Sequence, residues 1–204
     1  MGKQIPMLYS TPMVKALLDG RKTMTRRLVK FNKPIEVDQI GFTAFCNDGQ
    51  FAVRGKHGNV HYGESLFNMP YRVGDVIWVR ERFETETDGR IRFYASNPEV
   101  EHNAAYRNLT KWKPSIHMPK AAARIWLKIT NVRVERLHDI TRSDIRREGL
   151  VCPDELCSDD RFPNYRQWYP QAWKDLWIKL NGKDSFESNP WVWVIEFERI
   201  EKPA

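Results

Sequence analysis

The sequence predicts an α+β fold, a small β-barrel with flanking helices and an inserted β-meander. Three observations point to it: short strand-like runs recur along the chain, one helix opens it, and two more helical segments fall between the last strands. No internal repeat, low-complexity tract or Pro/Ser linker divides the 204 residues. The chain, 1–204, therefore reads as one domain with an arm inserted at about 31–68 and a long loop at about 97–119.

Thr11 and Pro12 begin the first helix, Thr11 as N-cap and Pro12 at its first position, and Gly20 ends it through its access to left-handed backbone. Residues 41–68 predict the meander, because GFTAFC, QFAVRG and NVHYGESLF are strand-like runs separated by Asn47-Asp48-Gly49 and Lys56-His57-Gly58-Asn59. After Gly74, the short acceptor Asp75 is expected to hold turn amides, and VIWVRERFETET alternates as one strand. Asp88-Gly89 turns the chain into RIRFYAS, while 97–119 lacks periodicity and reads as a surface excursion. Residues 123–136 form a strand whose apolar parity shifts at Asn131, predicting a bulge. Thr141 caps a helix that stops at Gly149, with Glu148 in its last turn. Residues 150–167 read as loop, and Pro170 starts an amphipathic helix carrying Trp173, Leu176, Trp177 and Leu180 on one face. WVWVIEFERI closes the fold as a half-buried strand. Periodicity assigns Trp78, Trp173, Trp177, Trp191 and Trp193 to the core.

Lysine and arginine number 33 against 26 acidic residues, a net charge of +7 that favours polyanionic partners, with nucleic acid the leading class. No run approaches the ~18 uninterrupted apolar residues of a membrane span, and the N-terminus lacks a secretion-signal pattern, so a cytoplasmic protein with no membrane partner is expected. Cys46, Cys152 and Cys157 are odd in number and lack a second ligand pair, and His57 and His61 sit in a Gly-rich turn; reduced thiols and no metal site are expected. No motif calls for a nucleotide cofactor, and none is expected.

Three stretches carry a resemblance: Gly20-Arg21-Lys22-Thr23-Met24-Thr25-Arg26-Arg27, Gly74-Asp75-Val76-Ile77-Trp78-Val79, and the Val-rich strand from Trp191 to Ile200. Through them the chain resembles the ASCH domain family, and its longer surroundings look like the phage and prophage branch. The resemblance implies a PUA-like barrel and recognition of RNA or modified nucleosides. The GRKT-x-T-x-R stretch is similar to that of a small bacterial amidohydrolase of the same family that acts on N4-acetylcytidine. That similarity places Lys22, Thr25 and Glu148 at the catalytic lysine, threonine and glutamate, with Arg27 at the arginine that follows. This chain is about twice as long as that enzyme. A non-catalytic nucleic-acid-binding module and a phage morphogenesis accessory are the other functions the family branch allows.

Amide hydrolysis needs a nucleophile, a base for its proton and a donor to the oxyanion and leaving nitrogen. A threonine hydroxyl serves only with a base in reach, and a lysine serves as that base only if its pKa falls from ~10.4 by burial or nearby cations. Arg21, Arg26 and Arg27 supply cations, whereas Glu148 beside the lysine acts in the opposite sense. Taken without the resemblance, Arg21, Lys22, Arg26 and Arg27 read as a solvated basic helix end or a phosphate contact, and Glu148 as an exposed glutamate. A second constellation, Trp112, Lys113, Ser115 and His117, interleaves aromatic, basic and hydrogen-bonding groups suited to a single-stranded or flipped nucleotide. The alternative there is a packed loop whose Trp112 and Met118 plug the barrel mouth.

Overall fold

The computed structural model describes residues 2–30, 41–45, 51–54, 60–62, 70–97, 103, 111–153 and 163–203. Strand β1 (Gln4–Leu8) leads into helix α1 (Thr11–Leu18) and strand β2 (Met24–Leu28). Strands β3 (Gly41–Phe45), β4 (Phe51–Arg54) and β5 (Val60–Tyr62) pair antiparallel as the predicted meander. Next come β6 (Val76–Arg80), the hairpin β7 (Phe83–Thr85) and β8 (Ile91–Phe93), and the long β9 (Trp126–Arg136). Helices α2 (Arg142–Arg147), α3 (Pro163–Asn181) and α4 (Lys183–Glu187) precede the last strand, β10 (Trp191–Ile200).

The α+β class is as predicted, but the closed barrel is not formed. The main sheet is open, ordered β1-β6-β9-β10-β2, with β1 parallel to β6 and the other pairs antiparallel. Its two edge strands, β1 and β2, are consecutive in the chain, yet α1 lies between them in sequence and buries Met13, Val14, Ala16 and Leu17. No β1–β2 ladder forms among the described residues, and the sheet stays open.

Strand β10 shows how the core is layered. Its Trp193, Ile195 and Phe197 join Met7, Val14, Leu17, Ile77 and Ile129 in one apolar cluster, while Val192 and Val194 join Met24, Ile145, Trp173 and Trp177 in a second. The strand is therefore buried on both faces through Ile195, not half-buried as its alternation suggests, because α2 and α3 cover the face opposite α1. A third cluster packs Trp78, Phe83, Met118 and Trp126.

Local signals fare unevenly. Asp75 accepts from the Lys3 and Arg72 amides at 2.8 and 2.9 Å, as a turn acceptor should. The β9–β10 register steps from Glu196↔Asn131 to Phe197↔Ile129, which leaves Thr130 as the extra residue of the bulge beside Asn131. The N-cap of α1 is Ser10, not Thr11. The run from Val76 to Thr87 is broken at Glu81 and Arg82, because buried Glu81 is held by both Arg124 guanidinium donors at 2.8 and 2.9 Å. Helix α3 begins at Pro163 and runs through Pro170, with buried Tyr169 on one side of the proline and Trp173 and Trp177 on the other; tertiary packing outweighs the single amide donor that proline removes. Leu180, predicted to share the buried stripe, is 54% exposed near the end of that helix.

Among the described residues no helix is long and apolar enough to cross a membrane, and no cluster of His, Cys, Asp and Glu could hold a metal ion. Cys152 is a buried free thiol. Cys46, Cys157, most of the 31–68 arm and residues 98–102 and 104–110 of the predicted excursion lie outside the described residues.

Candidate active site

The chain leaves α1 through Gly20 in left-handed conformation (φ 72°), and the Lys22 amide then donates back to the Ala16 carbonyl at 3.0 Å. The Thr23 amide donates to the Arg147 carbonyl at 2.9 Å, so this turn is laid against the end of α2. That helix begins where predicted, with the Thr141 hydroxyl accepting from the Asp144 amide, and ends with Glu148 as its C-cap. Gly149 follows at φ 96°. Together these turns bring Lys22 and Glu148 into contact across the fold. Lys22 Nζ donates to Glu148 Oε2 at 2.7 Å and to the Glu148 carbonyl at 2.8 Å, with both residues buried. Glu148 is therefore not an exposed helix-end glutamate, and Lys22 is not part of a solvated face.

Gly149 is fixed by this approach. A Cβ there would sit 2.7 Å from the Ala16 Cβ and 3.1 Å from the Lys22 Cβ, in a backbone region that L side chains resist. Gly149→Ala is expected to destabilise the protein by about 2–4 kcal/mol, from left-handed strain plus overpacking, and to push Lys22 off Glu148. Thermal unfolding checks the first effect; an unchanged midpoint would show that the turn yields without resistance.

Arg26, whose side chain is fully buried, extends the pair into a network. It donates from Nη1 to Glu148 Oε1 at 3.2 Å, from Nη2 to Asp144 Oδ2 at 3.1 Å, and from both Nε and Nη2 to Glu135 Oε1. Arg133 reaches Glu135, Asp144 and Glu196, and Arg147 reaches Glu196 at 2.7 Å. The four cations Lys22, Arg26, Arg133 and Arg147 are thus matched by the four carboxylates Glu135, Asp144, Glu148 and Glu196, and for the buried members Lys22, Arg26 and Glu148 such pairing is what burial requires.

At the sheet edge, residues of both parities of β2, Arg26 and Leu28 as well as Thr25 and Arg27, reach one cavity. In β2, Met24, Arg26 and Leu28 alternate with Thr25 and Arg27, and Thr25 and Arg27 are paired in register with Ile195 and Trp193. The Tyr9 hydroxyl donates to Met7 Sδ at 3.2 Å, and Thr25 is buried beside it. Thr25 opens on a cavity of about 560 Å³ that Lys22 and Glu148 also line, with Tyr9, Tyr71, Trp173 and Trp177 among its walls. That volume suits a small-molecule ligand. Burial pushes the Lys22 ammonium down from its ordinary value; Glu148 opposes that shift, and Arg27 and Arg26 reinforce it. Burial likewise holds the Tyr9 phenol well above its usual range, so it stays a neutral hydrogen-bonding group.

The other site residues expected from sequence are only partly gathered here. Arg27 and Ser115 line the cavity, and the Arg27 guanidinium lies 5.3 Å from the Tyr9 ring centre. Arg26 reaches the wall but is occupied by carboxylates. Arg21 is turned away, donating to Asp19 Oδ2 and to the Gly149 carbonyl, each at 2.7 Å, and so braces the turn. Trp112 is packed edge-on against Tyr94 instead of standing free for a base to stack, because Lys113 is bridged through its backbone to Phe83. Lys113 and His117 do not line the cavity. Tyr9, Trp173 and the carboxylates Glu135 and Asp144 were missed; buried aromatic and acidic residues carry no local signal of which cation they will meet.

No family model, curated protein or solved structure matches this chain.

Proposed function

We propose that this chain is an ASCH-type protein that removes an acyl group from the N4 nitrogen of a cytidine-like nucleoside. The observation that supports this reading best is the buried Lys22–Glu148 pair opening, together with Thr25, on one nucleoside-sized cavity. The aromatic walls Tyr9, Tyr71 and Trp173 suit a planar base. In this reading Thr25 Oγ attacks the acyl carbonyl while Lys22, as the free amine, takes the hydroxyl proton. The amide C–N bond breaks, the amino nitrogen leaves with a proton delivered through Lys22 or Glu148, and water then hydrolyses the acyl-threonine ester to free acid and threonine. Tyr9 shares the cavity wall with Thr25.

Incubating the purified protein with N4-acetylcytidine and following loss of the acetyl mass tests the reading; no turnover at high enzyme concentration would sink it. A pH profile tests the base. Only the amine form of Lys22 accepts a proton, so kcat/KM rises with pH through the Lys22 pKa, and burial sets that limb below the ordinary lysine value of ~10.4. Glu148 raises the Lys22 pKa, so Glu148→Gln is expected to move the limb to still lower pH while reducing kcat. A limb that stays in place or moves up would assign the titration to another group.

The second reading is a module that holds a modified base or RNA in the same cavity without turnover. It is favoured by the complete pairing of Arg26 and Lys22 with carboxylates, a static arrangement that serves stability as readily as catalysis. It predicts steep salt-dependent nucleic-acid binding with no deacetylation.

A further inference from the structure

The main cavity does not stop at the Lys22–Glu148 end. Tyr9, Ser10 and Ser115 line both it and a second recess of about 420 Å³. The remaining walls of that recess are Thr11, Arg82, Trp112 and Pro114, and no carboxylate is among them. Four residues that carry donors line it. Ser10 is the N-cap of α1 but its side chain makes no capping hydrogen bond, and the first turn of that helix holds no acidic residue to offset its positive end. Thr11 adds a second hydroxyl. Arg82 is exposed, stacked 4.3 Å from the Tyr94 ring centre, and pairs with no carboxylate among the described residues. Trp112 is 8% exposed, and its buried indole Nε1 has no hydrogen-bond partner. A buried donor left without an acceptor calls for one.

The contrast with the interior decides what that acceptor is. The cations around Glu148 are matched by carboxylates, whereas the recess combines a cation, uncapped helix-end donors and an orphan indole N–H with no anion of its own. We propose that this recess is a phosphate subsite, so that the substrate is a nucleotide and not a bare nucleoside. The base lies at the Lys22–Glu148 end, the sugar passes Tyr9 and Ser115, and the phosphate lies against Ser10, Thr11 and Arg82. The placement of the base rests on the function proposed above; the phosphate recognition rests on the recess alone.

The test is a comparison of cytidine and cytidine 5′-monophosphate binding by calorimetry on the whole protein, which needs no turnover. The monophosphate is expected to bind about ten- to a hundredfold more tightly, the effect of one or two charge-assisted hydrogen bonds. Arg82→Ala with Ser10→Ala is expected to bring that ratio near one; Arg82→Lys, which keeps the charge, restores part of it. Equal affinities, a preference untouched by the double substitution, or no monophosphate binding at millimolar concentration would each overturn the subsite. A dinucleotide with its phosphodiester 5′ of the cytidine separates the sources: binding as tight as the monophosphate assigns an internal strand phosphate, weaker binding a terminal one. Preference for the monophosphate without any deacetylation would remove the hydrolase reading and leave the subsite standing. Deacetylation of nucleoside and nucleotide with the same KM would do the reverse.

Discussion

Replacing Lys22 by methionine is expected to lower N4-acetylcytidine turnover by about a hundred- to ten-thousandfold, the range supplied by a positioned general base. Methionine approximates the length and volume of the lysine stem, so the cavity keeps its shape while the amine is lost. The substitution also leaves Glu148 without its 2.7 Å partner, although Arg26 still donates to the other oxygen of that carboxylate at 3.2 Å. Some stability loss is therefore expected with the activity loss, and circular dichroism with an unfolding curve must accompany the assay. Thr25→Val separates the two effects, because it removes the nucleophile at nearly constant volume without touching the charge network. Loss of turnover in both variants, with Thr25→Val well folded, would establish the catalytic pair. Full turnover in either would remove that residue from the mechanism.

The largest expected effect on stability belongs to Arg26. Its fully buried side chain meets Glu135, Asp144 and Glu148, so Arg26→Met leaves three carboxylates facing one another with their shared cation gone. Breaking a buried ion pair from one side costs about 3–5 kcal/mol, which for a chain of this size lowers Tm by roughly 10 °C. Arg26→Lys keeps the charge but not the planar fork that reaches three partners, and is expected to recover only part of the loss. An unfolding midpoint equal to that of the unsubstituted protein would show that water or a rearranged Arg133 replaces the guanidinium.

Signals confined to a few neighbouring residues were legible in the sequence. Gly20 and Gly149 stop their helices in left-handed backbone, Thr141 caps α2, Asp75 holds its turn, and the parity shift near Asn131 marks a real bulge. Each depends on groups within a few positions of one another. What pairs with what over long range was not legible. The contact between Lys22 and Glu148 could be reached only through a family resemblance, and nothing near Arg26 announces Glu135 or Asp144. The same limit explains the errors. Alternation in β10 reports that one face is buried but not that helices cover the other, and the strand count said nothing of whether β1 and β2 would pair. Composition around Trp112 leaves an exposed recognition loop and a packed one both open, and only the bridge from Lys113 to Phe83 shows the run packed against the hairpin.

The place of β2 at the sheet edge has a consequence for the order in which the protein acquires its site. Its only partner in the sheet is β10, with Met24 opposite Glu196 and Leu28 opposite Val192. Of the residues described here, the segment carrying Lys22 and Thr25 leaves the ribosome early and its strand partner late. Until β10 docks, the GRKT turn has neither its ladder nor the wall that α3 provides. Assembly of the cavity is therefore a high-contact-order step, and the pocket exists only once β10 has docked.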